Sequence, residues 1–125
     1  MSADRLSVIR IRDLLMVTVP PDPDDVTISG LQQRVLAAME QYEAKGVVLD
    51  ISPVDTLDSF FARTLSETAQ MVGLMGGRTI IAGMRPAVAV TAVQIGLTLR
   101  KIETALNVDR ALDMVSSKPQ LKKSL

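Results

Sequence analysis

The sequence predicts one α/β domain: a mixed, mostly parallel sheet begun by an antiparallel hairpin, with helices packed against it. Three observations point there. Two short strand-like runs open the chain with almost nothing between them. From Ser29 onward, helical and strand periodicities alternate, as they do when helices cover a parallel sheet. The later strand-like runs are apolar at nearly every position, the pattern of strands covered on both faces. The chain of 125 residues is the size of a single domain and can bury roughly two thirds of its unfolded surface. The domain is expected over residues 1–116, followed by a polar tail, 117–125, that frays.

In Ser7-Val8-Ile9-Arg10-Ile11-Arg12, strict alternation predicts a strand with Ile9 and Ile11 inward and Arg10 and Arg12 outward. Asp13 makes a tight turn into a second strand, Leu14 to Val19. PPDPDD, from Pro20 to Asp25, cannot continue a ladder and reads as loop. Ser29 and Gln32 have capping-box spacing, and Leu31, Val35, Met39 and Tyr42 follow on one helical face, closed by Lys45-Gly46. Val47 to Ile51 is a buried strand. After PVDTLDS, the residues Phe61, Leu65, Thr68 and Val72 mark a second helix ending near Gly76-Gly77, with Gly76 as a left-handed cap. Thr79 to Met84 is a further strand. Pro86 suits the first turn of a third helix, Ala87 to Ile95. Lys101 to Leu106 is a weak last strand. Asn107 caps a final helix with Val108, Ala111, Leu112 and Val115 inward. Met71, Met75 and Met84 are read as core fillers.

Composition excludes whole classes of chemistry. There is no cysteine and no histidine. Disulfides, thiolate chemistry, the usual zinc ligands and the usual base of a catalytic serine are therefore absent. Fourteen basic and fourteen acidic residues cancel, so no field of one sign draws the chain to nucleic acid or anionic lipid. The longest uncharged segment, between Arg85 and Arg100, falls short of the ~18 residues of a spanning helix. Charges in MSADRLSVIR occupy the place of a signal peptide's apolar core. A cytoplasmic, bacterial-type protein is the expectation.

The dense polar group is in PVDTLDSFFAR, where a buried strand passes into the second helix. In open α/β sheets, function gathers at such carboxyl ends. Either Asp58 or Ser59 caps the helix, the ordinary role of these residue types. Alternatively, Ser59 presents a hydroxyl on the first turn, where a phosphate would meet unpaired amides while Asp55 and Asp58 opposed its charge. A nucleophilic role fails for want of a base, since no histidine exists and the third residue after Ser59 is Ala62. A metal site from Asp50, Asp55 and Asp58 lacks the glycine-rich loop that would bring substrate phosphates to Mg²⁺. Asp22, Asp24 and Asp25 read as a solvated turn. Arg63 and Arg85 read as solvated side chains; the alternative is that both flank Ser59 in space and meet a partner there.

LDISPVDTLDSFFARTL followed by MGGRTIIAGMRPAV, in the order strand-strand-helix-strand-helix-strand-helix, resembles the STAS domain. That is the fold of bacterial anti-sigma-factor antagonists, and the resemblance runs over about residues 5 to 115. It points in particular to the short, single-domain RsbS-type scaffold subunit of stressosomes. The resemblance implies a non-enzymatic, cofactor-free protein phosphorylated on Ser59 by a serine-protein kinase of the GHKL type. It implies that the unmodified subunit holds the kinase in a large assembly with paralogous STAS proteins carrying sensor domains. Phosphorylation releases the kinase, which activates a downstream phosphatase, and a separate phosphatase resets Ser59. Asp55, Asp58, Arg63 and Arg85 are the candidate kinase contacts. Thr56 is more simply a loop residue than a second phosphoacceptor. The chain shows no N-terminal sensor segment, which suits the scaffold role.

Two other readings share the α/β order. A phosphoaspartate receiver would need an acidic pair after its first strand, an acceptor aspartate ending the third and a lysine ending the fifth. Asp24-Asp25 follow the second strand, Asp50 lies inside its strand, and Lys101 stands at the wrong end. A small-ligand or nucleotide-binding domain lacks glycine-rich loops.

Overall fold

In the computed structural model, residues 6–96 and 102–116 are described. The elements run β1 (Ser7–Ile11), β2 (Leu14–Thr18), α1 (Asp25–Tyr42), β3 (Gly46–Asp50), α2 (Ser59–Leu74), β4 (Arg78–Ala82), α3 (Pro86–Gln94), β5 (Glu103–Ala105) and α4 (Val108–Ser116). They form a five-stranded sheet in the order β1-β2-β3-β4-β5. The first pair is antiparallel, with Ile9 opposite Met16, and the other three pairs are parallel. This is the predicted architecture. Lys101 and the tail 117–125 fall outside the described residues.

The main core lies on one sheet face. Leu15, Val17, Val47, Leu49, Ile51 and Ile81 meet Leu31 and Val35 of α1, Phe61, Leu65 and Val72 of α2, and Val88 and Ala92 of α3. A smaller core lies on the other face, where Val48, Ile80 and Ala82 pack on Ala111 of α4, with Val108, Leu112 and Val115 half-buried beside them. The largely apolar β3 and β4 are thus covered on both sides, as their composition requires.

That one-sided second cover corrects the reading of β1. Leu6 is buried and Val8 packs on the main core, whereas Ile9 is 47% exposed. Alternation alone cannot say which face is covered. Helix α4 packs on β3, β4 and β5, so the Ile9 face of β1 has no helix over it among the described residues. Arg10 shares the parity of Val8 and places its guanidinium 5.2 Å from the centre of the Tyr42 ring. Tyr42 itself is 41% exposed, not inward, and Ala38 takes the buried position.

Helix α1 starts four residues before the expected cap. Asp24, not Ser29, accepts from the Thr27 amide at 2.8 Å, and Thr27 and Ile28 are both buried. The added turn therefore has a cap and apolar contacts of its own, and the Ser29–Gln32 spacing falls inside the helix. The helix closes on Glu43, left-handed at φ 50°, rather than on Lys45-Gly46. Gly46 instead opens β3. Gly76 is left-handed at φ 89°, as expected. Met71 and Met75 are 37% and 45% exposed, because the inward stripe of α2 is already filled by Phe61, Leu65, Ala69 and Val72. Met84 alone of the three packs against the core. Asn107 caps α4, accepting from the Arg110 amide at 2.8 Å.

On the α4 side, Arg78 donates to both carboxylate oxygens of Glu103, at 2.8 and 2.6 Å, and to the Met114 carbonyl at 3.3 Å. One arginine thereby ties β4, β5 and the last turn of α4. The bond from Arg78 holds the Glu103 carboxyl below its ordinary range, against the opposing effect of partial burial. A depressed carboxylate adds stability above its unfolded pKa and loses it as pH falls through the folded value. The pair is substantially exposed, which keeps its worth within about 1 kcal/mol. Melts recorded from pH 7 to pH 3 should show Glu103→Gln less stable than the parent at neutral pH. The two curves should converge below about pH 4, under the unperturbed glutamate pKa; parallel curves would remove this role.

Candidate functional site

The site is built at the carboxyl edge of β3 and β4. Both ladders run one residue past the strands: Val19 N–H donates to Asp50 O at 3.1 Å, and Ile51 N–H to Ala82 O at 3.0 Å. The chain then crosses to α2 on Ile51, Val54 and Leu57, three buried side chains at three-residue spacing, with Phe61 buried beyond them. Because these anchors point in, Ser52, Asp55, Thr56, Asp58 and Ser59 between them point out and are exposed.

The helix cap is Asp58. Its carboxylate accepts from the Phe61 amide at 2.8 Å, and its carbonyl accepts the first helical bond, from Ala62, at 3.0 Å. Ser59 is the first helical residue and is exposed. Of the two capping roles left open by sequence, the aspartate therefore takes it. Its amide partner is the third residue of the helix, so the amides of Ser59 and Phe60 remain as the unpaired donors of the first turn.

Arg85 joins two loops. Its Nε–H donates to Ser52 O at 2.7 Å and its Nη1–H to Asp55 Oδ1 at 2.6 Å. Gly83, just before it, has φ 79°, and a Cβ there would lie 2.9 Å from the Ser52 Cβ. The β4–α3 loop thus lies directly against the β3–α2 loop, in a conformation that glycine adopts cheaply. The Asp55 amide reaches the other way, to Pro21 O at 3.4 Å.

The structure brings Asp55 and Arg85 together, and puts Asp58, Ser59 and Arg63 on one exposed helix start. It does not gather Asp50 with them: Asp50 turns back to accept from the Ser52 amide at 3.0 Å. Among the described residues no group of three or more acidic side chains is placed to hold a metal ion. Asp24 is a cap rather than a free member of a solvated turn. Ser52 and Gly83 were missed by sequence reasoning. The one signal for them was a glycine directly after a buried strand, and its partner became visible only when two loops remote in sequence met.

A sequence model of the STAS domain matches residues 5–111. The chain belongs to the STAS family. Among curated relatives, the RsbT co-antagonist proteins RsbRA and RsbRB of Bacillus subtilis are 26% and 27% identical over 92 residues each. Those matches cover 70% and 74% of this chain but 34% and 33% of the relatives, so this STAS chain spans about a third of their length. Among solved structures, a serine-to-glutamate variant of RsbS from Moorella thermoacetica superposes with a TM-score of 0.80 at 29% identity, covering 95% of this chain and 98% of that one. A chain from the molecular architecture of the stressosome, described as a signal integration and transduction hub, gives a TM-score of 0.76 at 31% identity over 87% and 95%. The unphosphorylated anti-sigma factor antagonist SpoIIAA, at 16% identity and a TM-score of 0.72, shares the fold. Among the described residues no helix is long and apolar enough to cross a membrane.

With Asp58 as the cap, denaturation should separate two neighbouring substitutions. Asp58→Ala should cost ~1 kcal/mol, and Ser59→Ala should stay within a few tenths. Equal losses would mean that the two residues share the cap.

Proposed function

We propose that this STAS chain is a phospho-switched subunit of a bacterial stressosome-type assembly, without enzymatic activity of its own. Unmodified, it holds a serine-protein kinase of the GHKL type; phosphorylated on Ser59, it releases it. A cytoplasmic location, co-assembly with sensor-bearing STAS paralogues and a phosphatase that resets Ser59 belong to the same reading. The observation that carries it is the state of the Ser59 hydroxyl, exposed on a rigid helix start beside an aspartate that has already taken the capping role. The side chain is therefore open to modification without loss of the helix.

In the transfer, Ser59 Oγ attacks the γ-phosphorus of kinase-bound ATP, the bond to the ADP oxygen breaks, and the hydroxyl proton passes to a base of the kinase. Reset is hydrolysis, returning serine and inorganic phosphate. Around Ser59, Asp55 and Asp58 are balanced by Arg63 and Arg85. A phosphate adds about 1.5 to 2 negative charges, so an evenly charged face becomes strongly anionic. Charge at a docked surface of the same sign costs affinity directly. Thr56 is exposed too, but it precedes the helix and has no comparable position.

Kinase affinity before and after stoichiometric phosphorylation is the test, using the GHKL-type serine kinase of the same genome. Ser59→Ala should bind as the unmodified protein does, and the phosphorylated form at least about tenfold more weakly. Ser59→Asp, with one charge in place of nearly two, should fall between. Equal affinity in both states, with the phosphate confirmed on Ser59, would remove the reading.

Co-assembly has support of its own. Val90 and Val93 stand 57% and 81% exposed on α3, in a segment with no charged side chain between Arg85 and Arg100. Together with zero formal net charge, this leaves association unopposed by repulsion. Light scattering on the chain alone and mixed with an RsbR-type STAS protein should show species larger than the monomer in at least the mixture. Monomers under both conditions would exclude co-assembly.

A further inference from the structure

We infer that Arg63 is the intrachain counter-ion of a phosphate on Ser59, an assignment that rests on the phospho-switch reading above. Two arginines stand near the phosphoacceptor, and the structure distinguishes them. Arg85 is committed: its Nε and Nη1 hold the Ser52 carbonyl and Asp55. Arg63 is exposed on α2 and makes no hydrogen bond or ion pair among the described residues. It lies four residues after Ser59 within the same helix. Residues four apart in a helix are surface neighbours, with Cβ atoms about 5 to 6 Å apart.

Direction along the helix decides between the anions that Arg63 could take. An anion one turn before a cation is the favourable order, because it also matches the helix dipole. Phosphorylated Ser59 followed by Arg63 has that order. Glu67 stands one turn after Arg63 and is exposed, which is the weaker, reversed order. Asp58 is five residues away, off the shared face, and its carboxylate is engaged by the Phe61 amide. Before modification Arg63 therefore remains solvated, and afterwards it has a near-dianion in the favoured position.

The consequence for regulation is that phosphorylation changes the contact face twice. It adds negative charge at Ser59, and it withdraws an arginine that was previously open to a partner's carboxylate. A phosphate held by Arg63 is also fixed against the helix rather than free to swing.

The test uses the full chain with phosphoserine installed at position 59 during translation, so that no kinase is needed. The ³¹P resonance is titrated through the second phosphate ionisation, near pH 6, in the parent, Arg63→Gln, Arg63→Lys and Arg85→Gln. Loss of the Arg63 cation should raise that pKa by roughly 0.2 to 0.4 pH unit, the worth of an i, i+4 pair expressed as a shift. Arg63→Lys, which keeps the charge, should restore most of it, and Arg85→Gln should leave it in place. An unmoved pKa in Arg63→Gln, or an equal shift in Arg85→Gln, would overturn the assignment. Because the titration involves no kinase, its failure would leave kinase release standing. Failure of kinase release would likewise leave the Arg63–phosphate pair to be judged by the titration alone.

Discussion

Ile51, Val54 and Leu57 are buried at three-residue spacing beyond the end of β3, and Phe61 continues the series into α2. Everything at the site depends on that spacing. A loop of eight residues, 51–58, with no regular ladder would ordinarily be mobile. Here its apolar side chains are in the main core, and burial of each is worth about 1.5 to 3 kcal/mol. The polar residues between them have no choice of direction. Ser52, Asp55, Asp58 and Ser59 face solvent because their neighbours cannot, and the Arg85 bonds then fix which way the loop leans. A small domain without cysteine thus presents an ordered polar edge through core packing and the two Arg85 bonds.

The electrostatics of this edge suit a binding module. Its acids and bases are matched, so partner choice rests on shape and on local pairing, and long-range steering plays little part. Such a face responds sharply to one added phosphate, since the new charge is not lost in an existing field. The cap matters for the same reason. Were Ser59 the cap, modifying its hydroxyl would remove an acceptor that the helix uses; with Asp58 in that role the helix end survives. The capping carboxylate and the exposed hydroxyl thus belong to adjacent residues, so that a change at Ser59 would leave the helix end in place.

Much of the architecture was legible in the chain. The apolar runs of β3 and β4, the inward stripe of α2, Pro86 at the head of α3 and Asn107 at the head of α4 are local patterns with local causes, and each stands where it was expected. The errors share a cause. Ile9 was assigned inward because alternation reports that a strand has two unlike faces but not which one a helix will cover. Ser29 was assigned as a cap because its spacing to Gln32 fits, while the competing cap at Asp24 gained its advantage from the burial of Thr27 and Ile28 against the rest of the domain. Met71 and Met75 were placed in a core whose volume other side chains had already filled.

By itself the sequence determined the α/β alternation, the absence of histidine and cysteine chemistry, the even charge and the position of the polar group at a strand-to-helix junction. These follow from residue type and spacing within one segment. Only the tertiary structure decided that Asp58 rather than Ser59 caps α2, that Arg85 is bound to Asp55 and Ser52 while Arg63 is not, and that Gly83 lies against Ser52. The physical reason is that each of these depends on groups brought together from separate segments, or on a choice between equally suitable neighbours. Hydrogen-bond geometry at about 3 Å settles such a choice, and a one-dimensional pattern does not contain it.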